Sequence, residues 1–108
     1  MSERIEKVNS ILLRALSDII LIEHNHPSFK MISVLKVDTS KDLANAKISV
    51  SALENAEDLV KYLTKLKPVF RKKLARKIKL RTLPNLAFYL DEDGDYLGHI
   101  HSLFEKTK

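Results

Sequence analysis

The chain has 108 residues, 44% of them hydrophobic and 31% charged, with 19 basic residues against 14 acidic ones and no cysteine. That length suits one domain with a single core, expected to span residues 1–108, and the apolar content excludes a disordered tail. Without cysteine, disulfides and thiolate metal centres are excluded, and no apolar run reaches the roughly 20 residues that cross a bilayer.

From the N-terminus, Ile5, Val8, Leu12, Ala15, Leu16 and Ile19 recur at helical spacing, so residues 3–22 are expected to form an amphipathic helix. Ser2 suits the N-cap, and Glu3 and Glu6 suit the positive end of the helix dipole. The opening residues lack the basic-then-apolar pattern of a signal peptide, so a cytoplasmic protein is expected. Residues 24–28, with Pro27 among them, end the helix.

Two strands follow. Ile32, Val34, Leu35 and Val37 mark the first, and in the second Ala46, Ile48 and Val50 alternate with Lys47, Ser49 and Ser51. This period of two predicts a sheet with one solvated face. The polar residues 38–42 form the hairpin loop, although no Asn-Gly or Asp-Gly fixes its turn.

Helical spacing returns from Glu54 with Ala56, Leu59, Val60, Leu63 and Leu66. Pro68 has no N–H to donate, and its ring would meet the carbonyl of Thr64 in a straight helix, so a kink is expected there. Beyond it Phe70, Leu74 and Ile78 form a new apolar stripe. Lys72, Lys73, Arg76, Lys77 and Lys79 fall on the opposite half of that wheel, with Arg71 at its boundary. Pro84 and Asn85 then precede a third strand over residues 86–90, residues 91–95 form an acidic turn, and Leu97, Ile100, Leu103 and Phe104 predict a last short helix over 96–104. The order is helix, strand, strand, kinked helix, strand, helix. Such a chain builds an α+β layer with helices on one face of a three-stranded sheet, its strand–helix–strand crossover right-handed.

The charge is not evenly spread. Lys65, Lys67, Arg71, Lys72, Lys73, Arg76, Lys77, Lys79 and Arg81 stand in a stretch without one acid, while the rest of the chain holds 14 acidic residues against 10 basic ones. Many charge runs only keep a protein soluble. Here like charges repel with no local acid to offset them, which points to a phosphate-bearing partner and hence to RNA. Five to seven phosphate contacts would give log K a slope of roughly −4 to −6 against log[salt]. Arg4, Lys7 and Arg14 on the first helix are secondary candidates, and Pro68 would aim the basic segment.

Other chemistry finds little support. His24/His26 and His99/His101 are spaced by two; on the last helix that spacing separates His99 from His101, and with no thiolate to help these read as loop or surface histidines, so no metal site is expected. The run from Asp91 has glycine at the fourth position of a calcium loop and Ser102 at the twelfth, where a bidentate glutamate is needed. No nucleophile elbow or glycine-rich phosphate loop is present, so neither an enzyme, a cofactor nor a small-molecule substrate is expected. Phe70 and Phe88 read as core, leaving Tyr89 as the one candidate for base stacking.

Three local patterns carry a resemblance. Ser40-Lys41-Asp42-Leu43-Ala44-Asn45-Ala46-Lys47 and Leu80-Arg81-Thr82-Leu83-Pro84-Asn85-Leu86-Ala87-Phe88, with the opening helix, Arg14, Glu23 and Pro27, resemble the bacterial ribosome-binding factor A family from about residue 4 to 104. The chain departs from that pattern at His26-Pro27-Ser28, where the family has Asp-Pro-Arg, and at Leu66-Lys67-Pro68, where it has Ala-x-Gly. The resemblance implies a type II KH-like fold without the Gly-x-x-Gly loop. It also implies a non-enzymatic factor that binds the immature 30S subunit and its 16S rRNA and assists late maturation, notably in the cold. The free protein would be a monomer, away from membranes. Two alternatives are a general single-stranded RNA- or DNA-binding module and an adaptor whose basic helix meets an acidic protein.

Overall fold

In a computed structural model of the chain, which describes residues 3–24 and 28–91, the elements follow the expected order. Helix α1 (Glu3–Glu23) buries Val8, Leu12, Ala15, Leu16, Ile19 and also Ile20. Strands β1 (Ser33–Thr39) and β2 (Asn45–Ser51) are antiparallel. Helices α2 (Ala56–Lys65) and α3 (Lys67–Lys77) lead to β3 (Asn85–Leu90), which runs parallel to β2. The sheet order is β1-β2-β3, with β2 in the centre. The expected helix over 96–104, the turn after Asp91, Ser2, His26, Pro27, His99 and His101 lie outside the described residues.

Register explains the one-sided core. Val37 pairs with Ile48 and Thr39 with Ala46, while Ile48 and Ala46 also face Phe88 and Leu86 on β3. All six apolar or hydroxyl-bearing partners in those rows are buried, whereas Lys36, Asp38, Lys47 and Tyr89 alternate to a solvated face. Helices α1, α2 and α3 cover the buried side. Phe70 and Leu74 of α3 close the core, with the Phe70 ring edge-on to Phe88 at 5.8 Å.

Local chemistry changes four expected features. Strand β1 runs on through Asp38 and Thr39 because the Thr39 N–H donates to Asn9 Oδ1 at 2.9 Å, tying the strand to α1. A bulge between Val34 and Lys36 absorbs Leu35, which breaks the alternation of that strand. The third change is at the kink, where the helix splits into two. Leu66 leaves helical geometry (φ −90°, ψ 2°), and its N–H turns back to Leu63 O at 3.0 Å. Pro68 then sits in the first turn of α3, where its missing N–H costs little. Helix α3 also ends sooner than the wheel suggested. Ile78 is extended, so Lys79 follows the helix and does not ride on it. Leu80, Leu83 and the fully buried Pro84 draw the chain back onto the core.

Candidate nucleic-acid interface

The basic stretch divides by what each cation touches. Helix α3 sets like charges four apart three times: Lys67 and Arg71, Lys72 and Arg76, Lys73 and Lys77. Each such pair costs about 0.2–0.5 kcal/mol in a helix. No acid stands in the first turn of α3 to offset them.

Two of the three pairs find relief inside the protein. Lys73 Nζ bonds the carboxylate of Glu23 and lies 3.4 Å from His24 Nε2, while Lys77 Nζ stands 3.9 Å from Asp18 Oδ2. The Lys73 ammonium, by that hydrogen bond first, holds the Glu23 carboxyl below its usual 4.5. Arg71 Nη1 donates to Pro84 O at 2.7 Å, clamping the returning chain to α3. These contacts join residues up to 50 apart, so no local count of acids within the stretch revealed them.

Lys72 and Arg76 have no such relief. They lie about 200° around the helix from Phe70 and Leu74 respectively, on the face turned away from the core, and both are exposed. Lys65, Lys79 and Arg81 are exposed as well, and Lys67 is half-buried. Among the described residues none of these six meets a carboxylate. The nine predicted cations thus divide into three with a partner inside the protein, Arg71, Lys73 and Lys77, and the six others.

The secondary candidates separate too. Arg4, in the first turn of α1, lines one cleft with Arg81. Lys7 and Arg14 are exposed on α1 but share no ion pair, hydrogen bond or cleft with the cations of α3 among the described residues. Pro68 is exposed at the start of that helix. Tyr89 is 48% exposed on the solvated sheet face, with Lys47 Nζ 4.9 Å above its ring. His24 packs its ring edge-on to Phe70 at 5.4 Å, which makes it part of the packing under α3.

The cleft was not foreseen, and it joins residues of all three patterns on which the resemblance rests. In the hairpin loop, Ser40 Oγ and the Ala44 N–H both donate to Asp42 Oδ1, at 2.7 and 3.0 Å. Those bonds, the Ser40 hydroxyl foremost, keep the Asp42 carboxyl below its usual 3.8. Leu43 then takes a left-handed φ of 62°, supplying the turn that no glycine supplies, at about 1 kcal/mol. The Asn85 N–H donates to Ala44 O at 2.8 Å, docking the start of β3 on this loop. Between them opens a space of about 270 Å3.

A family model described as Ribosome-binding factor A matches residues 4–104. Ribosome-binding factor A of Natranaerobius thermophilus is 35% identical over 106 residues, covering 95% of this chain and 81% of that one. The Pseudomonas syringae pv. tomato protein of that name is 32% identical over 109 residues, covering 96% and 79%. Among solved structures, ribosome-binding factor A from Thermus thermophilus superposes with a TM-score of 0.73 at 27% identity, covering 80% of this chain and 94% of that chain. A homology model of the Thermus thermophilus factor, fitted into a cryo-EM map of a 30S complex of that factor, gives 0.69 at 27% identity, covering 78% and 91%. The shared architecture is KH-like, with a mixed three-stranded sheet under helices on one side. The chain therefore belongs to the ribosome-binding factor A family.

Proposed function

We propose that this protein is a non-enzymatic assembly factor that binds the immature 30S subunit through its 16S rRNA and assists late maturation and processing of that RNA, above all in the cold. It works in the cytoplasm and is a monomer when free. The observation that carries this reading is the unrelieved pair Lys72 and Arg76, continued by Lys65, Lys67, Lys79 and Arg81. Like charges held on an exposed face, while their neighbours on the same helix are paired internally, are offset by an external anion. The relative fitted into a 30S complex supports the subunit as the source of that anion. Arg71, Lys73 and Lys77 contribute to the local field, and Pro68 sets the direction in which α3 leaves α2.

Where the RNA is paired, recognition rests mostly on backbone phosphates and RNA shape, because an A-form helix hides its base edges in a deep major groove. With six cations on phosphates, log K falls against log[salt] with a slope of about −5. Sedimentation with purified immature 30S particles, mature 30S particles and short single-stranded oligonucleotides tests the reading. Preferential pelleting with immature particles, lost on nuclease treatment, is expected. Equal binding to oligonucleotides would indicate a general single-strand module, and complexes that survive nuclease would indicate a protein adaptor. Either result overturns the proposal.

A further inference from the structure

The cleft between the hairpin loop, the segment before β3 and the start of α1 has the composition of a nucleobase site. Its apolar lining comes from Val8, Leu43, Leu80 and Pro84, and its polar lining includes Asp42 and Arg81. The volume of about 270 Å3 falls below the roughly 300–1,000 Å3 of pockets for drug-sized ligands, which suits one aromatic base. We propose that this cleft receives the base of a single unpaired RNA nucleotide, with the N–H edge of that base toward Asp42 and its phosphate at Arg81. The proposal rests on the reading of the protein as an RNA binder and names the feature of the RNA that it selects.

Three observations converge on it. First, the Ser40 hydroxyl and the Ala44 N–H both donate to Oδ1 of Asp42, so neither of them engages Oδ2 of this cleft-lining carboxylate. A carboxylate kept ionised by Ser40 and Ala44 favours a base edge with adjacent N–H donors, and guanine presents two. Second, Leu43 holds an unfavourable backbone conformation where it lines the cleft, and such conformations concentrate at ligand sites. Third, Arg81 belongs both to the cleft and to the exposed basic segment, with Lys79 two residues before it. A strand lying on the α3 cations is therefore led toward the cleft by Lys79 and Arg81. Arg4 of α1 lines the same cleft.

The test uses the full chain, labelled for NMR and titrated with GMP, AMP, CMP and UMP. GMP is expected to shift the amides of residues 42–44 and 80–82 most strongly. Asp42→Asn keeps the oxygen that closes the turn, so it should fold normally and lose the preference for GMP. Ala44→Trp fills the cleft from an exposed position, and it should abolish those shifts and weaken binding to immature 30S particles about tenfold. Its salt slope should stay near the wild-type value, because the cations of α3 remain. Lys72→Ala with Arg76→Ala should do the reverse, lowering the slope while the GMP shifts persist. The inference is overturned if no nucleotide moves the cleft amides, or if folded Ala44→Trp binds the particles as tightly as wild type. If only the Lys72/Arg76 variant behaves as wild type, the cleft stands and the α3 interface falls.

Discussion

Lys72 and Lys73 are neighbours in sequence with the same charge, yet they belong to different surfaces. On the flank of α3 that meets α1, Lys73 and Lys77 face Glu23 and Asp18. On the outward face, Lys72 and Arg76 meet no acid among the described residues. The flank uses charge to fasten two helices, and the outward face leaves charge available to a partner. A local count of cations therefore overstates the charge left for a partner by the residues that the fold has already paired. The distinction also has an electrostatic basis. A paired ammonium carries little net field beyond its partner, whereas an isolated one is felt over about a Debye length, roughly 8 Å at physiological ionic strength.

Both faces depend on the same anchor. Phe70 is fully buried between His24 and Phe88, and replacing it by alanine is expected to cost about 3–5 kcal/mol. Denaturant unfolding should show that loss, and binding should fall with it, since flank and outward face lose their position together. A smaller effect isolates a third cation of α3 that the fold has already engaged. Arg71→Met leaves the carbonyl of buried Pro84 without its charged donor, at about 1–2 kcal/mol. It should lower the unfolding midpoint more than Lys72→Met does, because Lys72 fastens nothing.

The smallest expected effect is a pH dependence confined to the flank. Lys73 holds the Glu23 carboxyl below its usual 4.5, so the folded state binds fewer protons than the unfolded one in that range. The stabilisation is complete above that value and is lost as pH falls through the lower folded value. Melting temperature followed from about pH 6 to pH 3 should therefore decline slightly less in Glu23→Gln than in wild type, with the two converging at the acid end.

The elements were legible in the sequence because period and punctuation are local. Leu86 and Phe88 alternate onto the core face, Leu59 and Leu63 recur at helical spacing, and Pro68 marks the break between helices. What sequence reading missed was set by distant neighbours. No glycine at Leu43 signals its left-handed turn, which is shaped by the side chains of nearby Ser40 and Asp42 and completed by distant Asn85 through the docking of β3. Leu35 reads as part of an ordinary strand until pairing with β2 excludes it as a bulge. The stripe of Phe70 and Leu74 was read onward to Ile78, but Leu80, Leu83 and Pro84 have their own places in the core, so the helix stops at Lys77. For the candidate site, the cations were legible from composition, and their division was not. Asp18 and Glu23 lie five apart on α1 and Lys73 and Lys77 four apart on α3, a spacing that invites pairing once the two helices are known to be adjacent.

The division of α3 into a fastening flank and a binding face is tested most directly by the salt dependence of binding to immature 30S particles. Lys72→Ala with Arg76→Ala removes two phosphate contacts, and the slope of log K against log[salt] should become shallower by about 1.8. Lys73→Ala with Lys77→Ala removes two charges already neutralised by α1, and the slope should change by less than about half of that. Equal changes in the two variants, or a larger change from the flank pair, would contradict the account.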